Sequence, residues 1–156
     1  IAALSRELVG RYGQCCESRI RCCPDRHGAE AALATMKRWG LKLWLSSATP
    51  DRDLAEIIVR RGWMRLFDGV LGSSRSKAAN LRHVMAVERA APREVVMVGD
   101  SADDVAGARE AGTWMVVITT GAGRVPARGP FALDHPRTLP ALIARMRAKP
   151  LGRGRG

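Results

Sequence analysis

From Ala29 onward the chain alternates amphipathic helical stretches with short apolar stretches, and the connections between them are brief. This alternation is typical of a parallel β-sheet, because each parallel strand needs a crossover helix before the next strand can begin. The sequence therefore predicts an α/β fold: a Rossmann-like parallel sheet with helices on both faces. The chain has 156 residues, of which 46% are hydrophobic, and this is enough for one domain with a core.

Periodicity and turn residues place the individual elements. Helices are expected at 29–39, 51–62, 77–90, 102–111 and 139–147. Strands are expected at 41–45, 67–71, 94–98 and 114–119, and residues 121–130, rich in Gly and Pro, are expected to be irregular. Thr49 is expected to cap the second helix ahead of Pro50 and Asp51, and Gly112 is expected to end the fourth.

The two ends of the chain depart from this pattern. Residues 1–23 are helical in character without a clear apolar face, and we interpret them as the remnant of a helical cap or as a linker. Residues 24–147 then form the α/β core. Residues 148–156 are rich in Gly and Arg and are expected to be a disordered basic tail.

Charge and hydropathy limit the classes of partner. The net charge of +11 suggests nucleic acid, but 22 of the 26 basic residues are Arg scattered along the chain, and only 4% of residues are aromatic. Nucleic acid is therefore not the expected partner, although a basic nucleic-acid-binding module remains an alternative. The chain has no apolar run of 18 residues and no signal-peptide pattern, so we expect a cytoplasmic protein without a membrane segment. The sequence does not indicate an oligomeric state.

The four cysteines form two adjacent pairs, Cys15-Cys16 and Cys22-Cys23. A structural zinc site normally separates its paired ligands by two or more residues and needs a second half-site, which this sequence lacks. Half-buried thiols are therefore expected, and the role of these cysteines stays open.

Three groups of polar residues follow predicted strands, where parallel sheets bind their ligands. Ser47 follows the first strand, beside the amides that open the next helix, and this arrangement can hold a phosphoryl oxygen. Lys77 begins a later helix, where a cation opposes the helix dipole unless anions face it. Asp100 and Asp104 follow the most apolar strand, and grouped carboxylates of this kind suit Mg²⁺. Ser101 and Asp104 also have the spacing of a capping box, which needs no metal and does not involve Asp100.

These residues resemble the second, third and fourth motifs of the haloacid dehalogenase superfamily. The stretch from Val98 to Gly112, VGDSADDVAGAREAG, is similar to the fourth motif of its phosphoglycolate-phosphatase-like branch. The resemblance covers residues 24–145 and implies an Mg²⁺-dependent hydrolase that acts on small phosphorylated substrates through an aspartyl-phosphate.

The resemblance also implies roles for individual residues. Ser47 and Ala48 correspond to the phosphate-binding loop, and Lys77 to the cation that steadies the nucleophile and the phosphoryl oxygens. Asp100 corresponds to the acidic metal ligand, and Asp104 to the second acid that supports the metal or its waters. Ser46 is the alternative to Ser47 if the register of the second motif is shifted by one residue.

One motif of the family does not match. The family begins with a strand ending in Asp-x-Asp, whose first aspartate attacks phosphorus and whose second acts as acid and base. The chain has one Asp-x-Asp, Asp51-Arg52-Asp53, which opens a helix and is interpreted as first-turn charge. We therefore expect a fragment whose upstream part holds the catalytic strand and most of the cap. The alternative is a catalytically inactive protein that binds phosphate or a partner.

Overall fold

The computed structural model describes residues 28–119 and 131–148, which form five α-helices and five strands. The helices are α1 (Ala29–Arg38), α2 (Asp51–Arg60), α3 (Lys77–Glu88), α4 (Ala102–Ala111) and α5 (Leu139–Ala148). The strands are β1 (Trp44–Ser46), β2 (Gly69–Leu71), β3 (Val96–Gly99), β4 (Trp114–Ile118) and β5 (Phe131–Leu133). Predictions made for residues 1–23, the four cysteines, the irregular stretch 121–130 and residues 149–156 lie outside the described residues.

Side-chain caps define the starts of α3 and α4. The Ser76 hydroxyl accepts a hydrogen bond from the Ala79 N–H and begins α3. Ser101 and Asp104 form the expected capping box at the start of α4, and Gly112, with φ of 73°, ends that helix. Both helices therefore begin directly after strand-end loops, with their first turns facing the carboxyl edge of the sheet.

The expected Thr49 cap is wrong. Helix α2 begins at Asp51 with Pro50 at the N-cap position, and no side chain caps it. The Thr49 N–H instead donates to the Ser47 hydroxyl at 3.1 Å. Pro50 itself has a ψ of 143°, outside the helical range, so it occupies the N-cap position and Thr49 stays in the loop.

All strand pairs are parallel, as predicted. β3, β4 and β5 form one sheet in the order β3-β4-β5, and β1 pairs with β2 in a second sheet. Sequence analysis missed β5, a strand of three residues that directly follows Pro130 and carries little periodicity. The first and third predicted strands, 41–45 and 94–98, are not direct neighbours, because β1 is hydrogen-bonded to β2 and not to β3.

Apolar side chains from alternate residues of β4 fill cores on both faces of the larger sheet. Val117 belongs to a cluster with Leu81 of α3 and Ala108 of α4. Val116 belongs to a cluster on the other face with Met36 of α1 and Ile143 of α5. Helices therefore cover both faces, as predicted. In the part of the chain that the structure describes, no helix is long and apolar enough to cross a membrane.

The two sheets share the helices that cover them. Beside α1, Leu43, the residue before β1, and Val96 of β3 both pack against the cluster that contains Met36. On the other face, α3 places Leu81 against β3 and brings His83 into an edge-on contact with Trp44 of β1. The two sheets therefore belong to one layer. Within residues 28–119 and 131–148, β1 and β3 each have one edge without a strand partner.

Candidate functional site

Lys77 joins the ends of the two sheets. Its ammonium donates a hydrogen bond to the carbonyl oxygen of Ser46, the last residue of β1, at 2.7 Å. The same nitrogen lies 3.0 Å from the Oδ1 atom of Asp104, which belongs to the first turn of α4. The Lys77 side chain is 17% exposed. The lysine therefore stands at the carboxyl edge of the sheets, where the sequence predicted it, with an anionic and a dipolar partner that offset the unfavourable helix dipole.

The Asp104 carboxylate uses its two oxygens for two different purposes. Oδ2 accepts hydrogen bonds from the Ser101 hydroxyl at 2.7 Å and from the Ser101 N–H at 3.2 Å, which completes the capping box. Oδ1 is buried without a well-aligned hydrogen bond and faces the Lys77 ammonium. The capping role and the pairing with Lys77 thus coexist, since each employs one oxygen. The same carboxylate also lies directly over Gly99, where a side chain would collide with it.

The two serines after β1 have different surroundings. The Ser46 hydroxyl accepts a hydrogen bond from the amide of Asn80 at 3.0 Å, so it is committed to the interior. The Ser47 hydroxyl lies in the loop, where it accepts from the Thr49 N–H at 3.1 Å and donates to the Thr49 hydroxyl at 3.0 Å. Ala48, between Ser47 and Thr49, is exposed. Of the two serines, Ser47 is therefore the one whose hydroxyl lies in the loop after β1, just ahead of the start of α2.

Asp100 is another carboxylate at this edge. It is exposed, directly after β3, and among residues 28–119 and 131–148 it has no hydrogen-bond or ion-pair partner. Those residues contain no group of three or more side chains able to hold a metal ion. Mg²⁺ commonly uses one or two protein carboxylates and completes its shell with water and substrate phosphate, and Asp100 with Asp104 behind it fits that donor set.

Sequence analysis missed Asn80, which is almost completely buried at 2% exposure. Its amide donates to the Ser46 hydroxyl and, at 3.2 Å, to the carbonyl oxygen of Gly72, which follows β2. The available signal was its position three residues after Lys77, on the same side of α3. Asn80 therefore ties the carboxyl ends of β1 and β2 to the helix that carries the lysine.

Asp51 has a larger role than the first-turn charge assigned to it from sequence. Its carboxylate accepts hydrogen bonds from the N–H groups of Gly72, at 2.8 Å, and Ser74, at 3.2 Å. Hydrogen bonds from Ser74 and Gly72 lower the pKa of Asp51 below its ordinary value. This carboxylate therefore fastens the loop between β2 and α3.

The contact between α3 and α4 depends on Gly107. A Cβ at that position would lie 2.5 Å from Lys77 Cβ and 3.1 Å from the backbone nitrogen of Ala78. Because Gly107 has no side chain, α4 can approach the first turn of α3 closely enough for Asp104 to reach the Lys77 ammonium.

A parallel sheet between helical layers, with hydroxyl, lysine and carboxylate side chains at its carboxyl edge, is typical of the class of α/β proteins that bind ligands at that edge. The family model for haloacid dehalogenase-like hydrolases matches residues 7–112. The chain therefore belongs to the haloacid dehalogenase-like hydrolase family, as its motifs predicted.

Curated relatives match parts of the chain. A phosphoglycolate phosphatase of Psychrobacter arcticus is 33% identical over 81 residues, which cover 49% of this chain and 35% of the relative. The tyrosine-protein kinase PtkA of Mycobacterium tuberculosis is 31% identical over 102 residues, which cover 62% of this chain and 35% of the relative. The chain thus spans about a third of the length of these relatives.

Solved structures share the fold. A predicted phosphoglycolate phosphatase from Haemophilus somnus superimposes with a TM-score of 0.69 at 20% identity, covering 78% of this chain and 59% of that one. A HAD-superfamily hydrolase of subfamily IA from Geobacter sulfurreducens gives 0.65 at 23% identity, covering 75% and 60%. Both likenesses confirm the α/β architecture expected from the sequence.

Proposed function

We propose that the chain forms the phosphate- and metal-binding part of an Mg²⁺-dependent phosphatase, which hydrolyses small phosphate monoesters through an aspartyl-phosphate. The observation that carries the proposal is the position of Lys77, whose ammonium contacts both Ser46 and Asp104 beside the exposed Asp100. The family assignment and the phosphatase among the relatives support the substrate class.

Each residue of the edge has a distinct task in this proposal. The Ser47 hydroxyl and the Ala48 N–H bind oxygens of the transferring phosphoryl group. The Lys77 ammonium offsets negative charge on those oxygens as the transition state forms. Asp100, supported by Asp104, would hold Mg²⁺, which supplies further positive charge at the phosphoryl group when bound.

The nucleophile requires a carboxylate at the end of a strand, in an Asp-x-Asp motif that none of the five described strands carries. We propose that it comes from a further parallel strand between β1 and β3, ending in Asp-x-Asp. Two features support this position. The facing edges of β1 and β3 have no partner within the described ranges although shared helices cover both strands. Val98 of β3 is also 36% exposed, which is unusual for a strand residue of the core.

Such a strand would place its first aspartate beside Ser47 and Lys77. Its carboxylate oxygen would attack phosphorus while the bond to the leaving oxygen breaks, and the second aspartate would give that oxygen a proton. Water would then attack the aspartyl-phosphate, release inorganic phosphate and regenerate the carboxylate.

The test compares the chain with a chimera that carries, in front of residue 1, the Asp-x-Asp strand and cap of the Psychrobacter arcticus relative. The chain alone should show no phosphatase turnover above background. The chimera should hydrolyse p-nitrophenyl phosphate in an Mg²⁺-dependent manner, and Lys77→Ala should lower its kcat by about 10²-fold. An inactive but folded chimera would contradict the proposal and favour a phosphate- or partner-binding protein.

Asp51→Asn is the matched control because it removes a carboxylate that the structure assigns to the loop. In the chimera it should leave most of the activity. Clear turnover by the chain alone, lost in Asp51→Asn, would instead identify Asp51 as the nucleophile.

A further inference from the structure

A polar side of α3 faces β1, where a helix of this fold would ordinarily present apolar residues. Lys77, Asn80 and His83 are spaced by three residues and so lie on one side of the helix. All three contact β1: the first two bind Ser46, and His83 packs edge-on against Trp44 with ring centroids 6.0 Å apart. The polar contacts are concentrated at the carboxyl end of the strand, next to the proposed phosphate site.

Asn80 is almost completely buried, so exposure to water does not explain why this position is polar. Its Nδ2 lies 3.0 Å from Ser46 Oγ and 3.2 Å from the Gly72 oxygen, so each amide hydrogen has an acceptor. An apolar residue here would leave both acceptors unsatisfied, and an acid could not donate to the Gly72 carbonyl. The amide therefore matches the two strand ends specifically.

We infer that Asn80 is a positioning residue of the phosphate site: it holds the ends of β1 and β2 in register with Lys77, one turn away on α3. This inference rests on the proposed function. Its mechanism is geometric, because the Lys77 ammonium is docked on the carbonyl of Ser46, whose neighbour Ser47 supplies the phosphate-binding hydroxyl. If the end of β1 shifts, the ammonium and the hydroxyl cease to face the same phosphoryl group.

Gly72 and Ser46 are each held by two side chains, and Asn80 is one of the two in both cases. Gly72 is held by Asn80 through its carbonyl oxygen and by Asp51 through its N–H. Ser46 is held by Asn80 through its hydroxyl and by Lys77 through its carbonyl oxygen. Asn80 is thus a side chain that links the end of β1 to the loop after β2, in addition to the backbone hydrogen bonds from Ser47 to Leu71 and from Ser73 to Thr49.

Asn80→Asp tests the inference because it keeps the volume of the side chain but removes both donors. In the 156-residue chain, binding of inorganic phosphate in the presence of Mg²⁺ should weaken by about tenfold or more, since a misplacement near 1 Å can cost about 10²-fold. The NMR signal of the Lys77 Cε should shift as the ammonium leaves Ser46. In the chimera, kcat should fall more than KM rises. Asn80→Ser, which keeps one donor on a shorter side chain, should give intermediate values and serves if Asn80→Asp does not fold.

Leu81→Ala is the matched control, since Leu81 is the next residue of α3 and packs into the core cluster with Met97, away from the strand ends. It should destabilise the fold while leaving phosphate affinity and the Lys77 signal unchanged. Folded Asn80 variants that behave like Leu81→Ala would overturn the inference. If the wild-type chain and chimera neither bind nor hydrolyse phosphates, the proposed function fails, and the Lys77 signal still decides whether Asn80 positions the lysine.

Discussion

Replacing Gly107 with Ala perturbs the contact that sets the position of Lys77. The added methyl group would lie 2.5 Å from Lys77 Cβ, 3.1 Å from the Ala78 nitrogen and 3.2 Å from the Lys77 carbonyl carbon. Carbon atoms in contact prefer separations of about 3.5–4.0 Å. Two of the three atoms belong to the backbone of α3, so a change of rotamer cannot relieve the collision and the two helices must separate by about 1 Å.

Two opposing effects determine the stability of this variant. Alanine favours a helix over glycine by about 1 kcal/mol. Overpacking a close helix contact costs about 1–3 kcal/mol. The free energy of unfolding should therefore fall by no more than about 2 kcal/mol. Phosphate binding should weaken as well, because separation of α3 from α4 moves the Lys77 ammonium away from Asp104.

Urea unfolding and phosphate titration of the 156-residue chain measure the two effects separately. Ala106→Gly, at an exposed neighbouring position of α4, is the control: it should cost about 1 kcal/mol through helix propensity and leave phosphate affinity unchanged. Gly107→Ala should weaken phosphate binding by about tenfold or more. A Gly107→Ala chain that is about 1 kcal/mol more stable, with unaltered phosphate affinity, would refute the close-contact argument.

Two further predictions concern charged groups. Lys77→Met should lower the free energy of unfolding by about 3 kcal/mol, because it leaves the buried Asp104 carboxylate uncompensated. Adding Asp104→Asn should recover much of that loss. Additive losses from the two substitutions in urea unfolding would contradict the pairing of Lys77 with Asp104. Burial raises the pKa of Asp68, but hydrogen bonds from Lys37, a backbone amide and Lys42 outweigh it and hold the pKa at about 2, below the ordinary 3.8. The resulting stabilisation is complete above pH 3.8 and is lost as the pH falls through about 2. Asp68→Asn should therefore cost roughly 1 kcal/mol at neutral pH and little at pH 2, and an equal cost at both would argue against the ion pairs.

Local patterns were sufficient to predict all five described α-helices and four of the five described strands. The start of α4 is fixed by Ser101 and Asp104, three residues apart, and its end by Gly112, so both boundaries can be read directly from sequence. Strand pairing is less accessible, because it depends on contacts between distant segments. The stretches 41–45 and 94–98 have similar apolar character, which gave no indication that β1 pairs with β2 and not with β3.

The candidate site could be predicted where a residue type was itself unusual, as with a lysine at a helix start. Asn80 carried a weaker signal, since a lone Asn within a helix is more often solvent-exposed than buried. Asp51 is an acidic residue of the first helical turn, as expected, but its contacts with the loop after β2 were missed for a different reason. Its position explained its charge locally, and its hydrogen bonds to Gly72 and Ser74 cross between segments that are 21 and 23 positions apart.

Asp104 illustrates why a local explanation does not exclude a functional one. A capping box and a role at the sheet edge look like alternatives for Asp104, but the two oxygens of one carboxylate can serve both. The structure gives Oδ2 to Ser101 and turns Oδ1 towards Lys77, and the first interaction fixes the orientation needed for the second. Because the cap holds the carboxylate in one rotamer, its other oxygen faces the lysine without a further loss of side-chain entropy. The capping box is therefore part of what places the Lys77 ammonium at the proposed phosphate site.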